Sequence, residues 1–447
     1  MTTDPAIAAP PSARDPRLSG VTGNMPRESS ASSGRPAIVA DGLRNAPLLA
    51  GAVAGTLLGT TPTLGAVFGI FLVPIATEFG WSRTQVAGAF SAMAVAAMIF
   101  YPVAGRLADR FGTRAVLLAG FALQGVFTLA LSRLIPNAAL YYPAFALAGA
   151  AGALSSNMVI AKLLSQRFDR GRGFWMGLVG GIGNGVGSIL LPILAASLLV
   201  GHGWRGTFVI IGCIVLLVGL PIIWLTMKEP ASRPPAAGEP VAAILSPPEI
   251  GLGEALRRPL FWVIFSAVPI GGGFLTGVFM NVAPMLQQRG VSLEQATSVI
   301  ALFAAVTVLW EPLVGYMLDR TSRPRCVAPF YFLAVAGLLI LANATHFGVL
   351  LLGGGLAGIG LGAEFSVLPY VLSRYFGLGA MGAISGVAFA GVLGATALAP
   401  MLLNGGFDML GSYKPGVYVV AGCILYTATV FLFLDTYPDR PGEDAAA

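Results

Sequence analysis

The run Gly105-Arg106-Leu107-Ala108-Asp109-Arg110-Phe111-Gly112-Thr113-Arg114 sets a short charged turn between two long apolar stretches. A second run, Gly315-Tyr316-Met317-Leu318-Asp319-Arg320, stands in the same setting at an offset of 210 residues. The same offset lays Pro102 on Pro312, and Gly80, Ser82 and Gln85 on Gly290, Ser292 and Gln295. Chance supplies an isolated Gly or Pro; identities in one register at two separate places mark two related halves. Duplicated halves in a membrane usually enclose a site near the midplane that opens to each side in turn.

The rest of the 447-residue chain agrees with a membrane setting: 56% of it is apolar, 10% is charged, and 59 residues are Gly. A water-soluble fold carries about 25% charge, so soluble enzymes and nucleic-acid-binding proteins are poor fits. Apolar segments fall near 46–76, 85–104, 114–132, 140–163, 174–200, 207–227, 259–286, 294–314, 327–343, 347–372, 381–403 and 416–435. Each approaches or exceeds the ~20 residues that cross hydrocarbon as a helix. The expected fold is an all-α polytopic membrane protein with twelve transmembrane helices in two pseudo-symmetric six-helix bundles. The expected division is a disordered cytoplasmic tail at 1–44, an N-terminal bundle at 45–228, a Pro-rich cytoplasmic linker at 229–258, a C-terminal bundle at 259–436 and a tail at 437–447.

The net charge of +6 does not point to a nucleic-acid partner, because the 26 Lys and Arg lie in short groups between apolar runs. With the tail placed in the cytoplasm, every basic residue is inside except Arg83, Arg133, Arg205, Arg289 and Lys414. That bias orients a multi-pass inner-membrane protein with both termini cytoplasmic. Cys213, Cys326 and Cys423 are far apart, and neither His202 nor His346 has a second ligand at metal spacing. No metal, cofactor or disulfide is expected. The Gly-rich stretches lack a following Gly-Lys-Ser or Gly-Lys-Thr, so no nucleotide loop is read and energy must come from a gradient. No catalytic constellation marks an enzyme. The expected partners are a small-molecule solute, protons and the lipid bilayer, with the chain a monomer.

The Gly105–Arg114 run resembles the signature loop between spans two and three of the major facilitator superfamily, and Gly315–Arg320 resembles its second-half copy. In that family the loop latches the outward-open state. The resemblance implies a gate built from Gly105, Asp109, Arg110, Gly112, Arg114, Gly315, Asp319 and Arg320. Small residues allow close helix approach, a carboxylate suits a helix end, and arginines anchor at headgroups. Thr113 stands where the family usually has a second basic residue, and Ser322 where it usually has Gly.

The segments Glu78-Phe79-Gly80-Trp81-Ser82-Arg83-Thr84-Gln85, Gly362-Ala363-Glu364 and Arg374-Tyr375-Phe376-Gly377 are similar to the monocarboxylate and oxalate/formate porter branch. That likeness implies a small organic anion as solute. One departure stands out: where the branch generally places an Arg, just before a Pro and four residues before Gly, this chain has Glu311, followed by Pro312 and Gly315. The first span, with Thr56, Thr60, Thr61 and Thr63, also lacks the Lys that some relatives carry.

Glu311 and Glu364 are acids inside apolar segments. An ionised carboxylate facing lipid costs several kcal/mol, so each must face the bundle interior, pair, or take up a proton. Both are proton-coupling candidates, Glu311 the more informative; a structural role in packing or gating is the competing reading for Glu364. Thr60, Thr63, Asn157, Asn184, Asn281 and Trp310 are candidates for the solute cavity, with helix-to-helix hydrogen bonding the competing reading for the two asparagines of spans four and five. Lys162 reads as a snorkelling anchor at the end of span four. The leading expectation is proton-coupled uptake of a mono- or aromatic carboxylate by alternating access. Proton-driven efflux of an amphipathic or cationic compound is the alternative, and a non-transporting membrane sensor a weaker one.

Overall fold

A computed structural model describes residues 40–168, 171–228, 250–321 and 323–437. Residues 1–39 of the expected tail, most of the expected linker, Ser322 and residues 438–447 lie outside the described residues. The long apolar helices are α1 (Ala46–Phe79), α2 (Arg83–Phe111), α3 (Thr113–Leu131), α4 (Ala138–Arg167), a 55-residue stretch (Arg172–Thr226), α7 (Pro259–Gln287), α8 (Leu293–Asp319), α9 (Ala328–Asn343), α10 (Phe347–Phe376), α11 (Met381–Leu410) and α12 (Lys414–Phe433).

The 55-residue stretch is too long for one crossing: at ~1.5 Å per residue it would extend about 80 Å, against a hydrocarbon core of ~30 Å. Gly203 breaks it with φ 63° and ψ 178°. Residues 172–202 form α5 and 204–226 form α6, and the contacts show that the chain reverses there. Gly173 meets Asp319 at one end of the bundle, Trp204 meets Glu78 at the other, and Trp224 returns to accept a bond from Arg114. Twelve crossings result, so the first and last described residues share a face. It carries Arg110, Arg167, Arg320 and Arg374 and is called the basic face below.

The repeat read from the sequence is a repeat of local structure. Gly80 (φ 66°) and Gly290 (φ 80°) both adopt a left-handed turn that residues with a Cβ rarely take. Ser82 then accepts the amide of Gln85 at 3.2 Å while Gln85 Oε1 accepts the amide of Ser82 at 2.9 Å, a reciprocal helix cap. Ser292 accepts the amide of Gln295 at 3.2 Å in the same way. Each half has its own apolar interior, around Phe71, Phe121, Phe145 and Phe208 in the first and Phe261, Phe303, Tyr331 and Phe431 in the second. Large side chains such as Leu217, Leu309 and Phe433 remain exposed on the perimeter, where hydrocarbon would cover them.

Three helices are less regular than their apolar patterns imply. α1 contains a π-helical turn at Thr61–Ala66, with Pro62 inside it. α4 is interrupted at Ser155 and Ser156, the second in extended conformation, so Asn157 opens a separate helical piece. α5 carries a π-helical turn at Gly180–Gly185. Such turns are frequent at functional sites.

Helical and buried residues extend into two of the expected connecting segments. Residues 40–44, assigned to the tail, form a helical turn ahead of α1. Ile250 and Ala255, assigned to the linker, are buried in the second-half core through the short helix Leu252–Ala255. In both places the chain covers apolar surface at the basic face.

Candidate functional site

The two halves meet at a pair of glycine crossings. A Cβ at Gly105 of α2 would overlap the carbonyl of Gly382 in α11, and a Cβ at Gly315 of α8 would overlap the carbonyl of Gly173 in α5. Backbones approach this closely only without side chains.

Beside each crossing, a carboxylate from one half caps a helix of the other. Asp109 Oδ1 accepts the amide of Gly382 at 3.0 Å and its Oδ2 the amide of Ala383 at 2.8 Å. Asp319 Oδ1 accepts the amide of Gly173 and its Oδ2 the amide of Phe174, both at 2.9 Å. In each case these are the second and third residues of the capped helix, α11 or α5. Those amides have no partner within their own helix, and the helix start favours a negative charge.

Lys162 completes the first latch, its Nζ donating to Asp109 Oδ1 at 2.6 Å with its side chain 4% exposed. The snorkelling assignment is therefore corrected: Lys162 turns inward because an anion waits one helix away. Around the second latch, Arg172 bonds Phe168 O at 3.1 Å and reaches across to Ser373 Oγ at 3.3 Å. Of the other signature residues, Arg110 lies over the ring of Phe111 and Arg320 over that of Tyr316. Gly112 (φ 88°) forms the tight link to α3, and Arg114 donates to Trp224 O at 2.8 Å. Thr113 is fully buried, its hydroxyl 3.5 Å from Gln166 Oε1.

Above the second crossing sits Glu311, 4% exposed and in contact with the opposite half. Its side chain lies against Gly180 in the π-turn of α5 and its carbonyl against Gly177. Asn157 Nδ2 flanks the same glycine, 3.3 Å from where a Cβ at Gly180 would stand. Ser366 of α10 donates to Glu311 O at 3.1 Å. Pro312 has no amide hydrogen, so the Val308 carbonyl lacks its usual helical partner; it faces Gly181, one turn above the acid. Gly185 in turn faces the Val308 side chain.

At the first crossing the corresponding level is aromatic: Tyr101 of α2 stacks on Phe389 of α11, ring centroids 6.0 Å apart. Farther out, Gly394 faces Met98. Among the described residues, the hydrogen bonds and ring stacks between halves lie in the basic-face portion of the bundle.

The remaining sequence candidates are dispersed. Glu364 is inside the second bundle, packed against Gly272 of α7, and neither carboxyl oxygen has a hydrogen-bond partner among the described residues. Asn184 is half-buried in the π-turn of α5. Thr63 is fully buried, donating to Gly59 O at 2.6 Å and accepting from Gln124 at 2.9 Å. Gln124 also donates to Leu58 O at 3.0 Å and accepts from Ser155 at 2.6 Å, while Thr60 lies 3.5 Å from Ser155. Through these bonds Thr63 helps pin together α1, α3 and the break in α4. Asn281 bonds Gly277 O at 2.8 Å and Asn404 at 3.3 Å, and Trp310 turns edge-on to Phe330 inside its own half. Neither joins Glu311. Gln124 and Ser155 are the polar residues that sequence reasoning missed; a Gln within an apolar run was the available signal.

Two pseudo-symmetric bundles, joined at one face by reciprocal carboxylate caps, have the architecture of a membrane transporter. The chain belongs to the Major Facilitator Superfamily, whose family model matches residues 54–400 and 270–447. It is similar to monocarboxylate transporter 11 of Mus musculus, 27% identical over 391 residues that span 82% of each chain. It is also similar to the 4-hydroxybenzoate transporter PcaK of Pseudomonas putida, 27% identical over 375 residues, 72% of this chain and 80% of that one. Among solved structures, the Escherichia coli fucose:proton symporter FucP matches with a TM-score of 0.66 at 15% identity, covering 88% of this chain and 98% of that one, which establishes the shared fold. The chain is a multi-pass membrane transporter of a small-molecule solute, related to the monocarboxylate and aromatic-acid porters, and not an enzyme.

Proposed function

We propose that the protein imports a small organic acid, a mono- or aromatic carboxylate, together with protons across the inner membrane by alternating access. The observation that carries this reading is the paired closure of one face, Asp109 on α11 and Asp319 on α5. It represents one of the two states such a cycle needs. The basic face is the cytoplasmic face, because Lys and Arg accumulate on that side, and both termini lie there. The relatives named for monocarboxylate and 4-hydroxybenzoate transport support the solute class. Glu311 carries or tunes the proton, with Glu364 as a second candidate inside the C-terminal bundle. Asn157, Asn184, Thr60 and Trp310 are the solute-cavity candidates that remain half-buried. The transporter acts as a monomer in the lipid bilayer.

A second reading, export of a cationic or amphipathic compound, is favoured by one observation: among the described residues the Glu311 carboxyl lies against Gly180 and Gly181, with Asn157 beside Gly180, and forms no salt bridge. Proteoliposomes decide between the two. Uptake of labelled lactate or 4-hydroxybenzoate driven by an imposed proton gradient, with acidification of the lumen, is the expected outcome. Carboxylate flux without any pH change would overturn proton coupling, and proton-driven flux of an organic cation alone would replace the carboxylate.

A further inference from the structure

The break in α4 lies between two equivalent side chains. Tyr101 of α2 and Glu311 of α8 correspond at the 210-residue offset, each four residues, or about 6 Å, from its crossing glycine, Gly105 or Gly315. The Tyr101 hydroxyl approaches Ser156, while Glu311 and the Asn157 amide group both flank Gly180. Ser156 and Asn157, the cap and first residue of the helical piece Asn157–Arg167, therefore face both crossings at once.

That piece begins with buried donors whose usual bonds are not made. Ser156 is extended, with φ −75° and ψ 158°, and its side chain accepts no amide of the first turn, the bond a serine cap normally makes. It is only 6% exposed, and its Oγ has no hydrogen-bond partner among the described residues. Val159 N donates to Ser156 O at 3.1 Å, but the amides of Asn157 and Met158 reach no backbone carbonyl among the described residues. Met158 is 2% exposed. Buried donors call for an acceptor, and the positive end of a helix favours an anionic one. Lys162, lower on the same piece, is already committed to Asp109.

We propose that this break is the carboxylate subsite of the transporter: the amides of Asn157 and Met158 and the hydroxyls of Ser156 and Tyr101 hold the carboxylate of a monocarboxylate solute. A carboxylate only accepts, through two oxygens, and these four groups can all donate. Half-helix starts serve anionic solute groups in the same way in other membrane folds. The Tyr101 ring stacks on Phe389 of α11, so the bound anion is linked to the second half through one aromatic pair. The inference rests on the carboxylate reading above and adds how the charge is recognised: by oriented donors and a helix start rather than by a cation.

The test measures binding of radiolabelled 4-hydroxybenzoate and lactate to the full chain in nanodiscs, with melting of the ligand-free protein recorded for every variant. Ser156→Ala and Tyr101→Phe are each expected to raise Kd about tenfold or more, the scale of a hydrogen bond to a charged group, with melting unchanged. Asn157→Pro removes the amide hydrogen at a position where helices accept Pro, after a residue already in the extended form Pro prefers. It should weaken binding at least tenfold more than Asn157→Ala, which removes only the side chain. Wild-type Kd in Ser156→Ala and Tyr101→Phe overturns the proposal and leaves these donors to ordered water. Equal Kd in Asn157→Pro and Asn157→Ala overturns the assignment to the helix start. Failure of the wild-type protein to bind either carboxylate overturns the carboxylate reading itself, and this subsite with it, so the two failures are told apart.

Discussion

Lys162 Nζ stands 2.6 Å from Asp109 Oδ1, at the point where Asp109 also accepts the amides of Gly382 and Ala383. A single lysine of α4 thereby steadies the carboxylate that ties α2 to α11. The second latch reaches the same helix-capping geometry with arginines nearby, so the two closures share a backbone plan and differ in their cations.

Replacing Lys162 by Met is expected to destabilise the closed protein by about 3 kcal/mol, the lower end for breaking a buried pair, because Asp109 remains 17% exposed. Melting in detergent reads the loss. Adding Asp109→Asn to Lys162→Met should cost less than the two single losses combined; strict additivity would mean that the pair does not act as a unit.

Gly315→Ala is expected to wedge the second crossing apart, since the new methyl would meet the Gly173 carbonyl. Solute flux should fall at least tenfold, and labels on the basic face should move apart. Gly422→Ala in α12 is the control: a Cβ there meets nothing within 4 Å, and helix propensity alone favours Ala by up to ~1 kcal/mol. Equal damage from both substitutions would argue against a special role for the crossing.

Thr63→Val keeps the shape of the side chain and removes its hydroxyl. Gln124 would lose one of its partners, at a cost of about 1–2 kcal/mol. The melting temperature should drop while the KM for solute stays within about twofold. A KM rise of tenfold with unchanged melting would restore Thr63 to the solute cavity.

Tyr437 packs against Tyr370 and Tyr375 and lies under the guanidinium of Arg374, 5.1 Å from its ring. Tyr437→Ala should lower stability by about 2 kcal/mol through lost ring and cation–π contacts. Tyr437→Phe should retain most of it, read in the same thermal assay.

The fold was legible because hydrocarbon-length apolar runs and a constant repeat offset are properties of the chain alone. Gly80 with Ser82, and Gly290 with Ser292, announce the same turn and helix start twice, and both operate locally. The latch carboxylates were also conspicuous, since Asp109 and Asp319 recur at equivalent places. The direction taken by Lys162 was not: within one turn of a helix end, a lysine can reach headgroups or fold inward, and only the position of Asp109 decides. The partners of Thr63 and Trp310 were hidden for a related reason. A helix that is apolar all round gives no stripe from which to tell bundle interior from cavity, so their facing depends on Gln124 and Phe330, supplied by other helices. The breaks in α4 and α5 left weak traces, two serines and a run of glycines, that many regular membrane helices also contain.

The one-residue reversal at Gly203 leaves the far tip of the α5–α6 hairpin with almost no slack. A protease, an inserted epitope or a bulky tag has no loop to occupy there, and an added segment would have to unwind helix on one side or the other. The hairpin should therefore travel as a single stiff lever, transmitting displacement of Gly173 at one end to Trp204 and its partner Glu78 at the other.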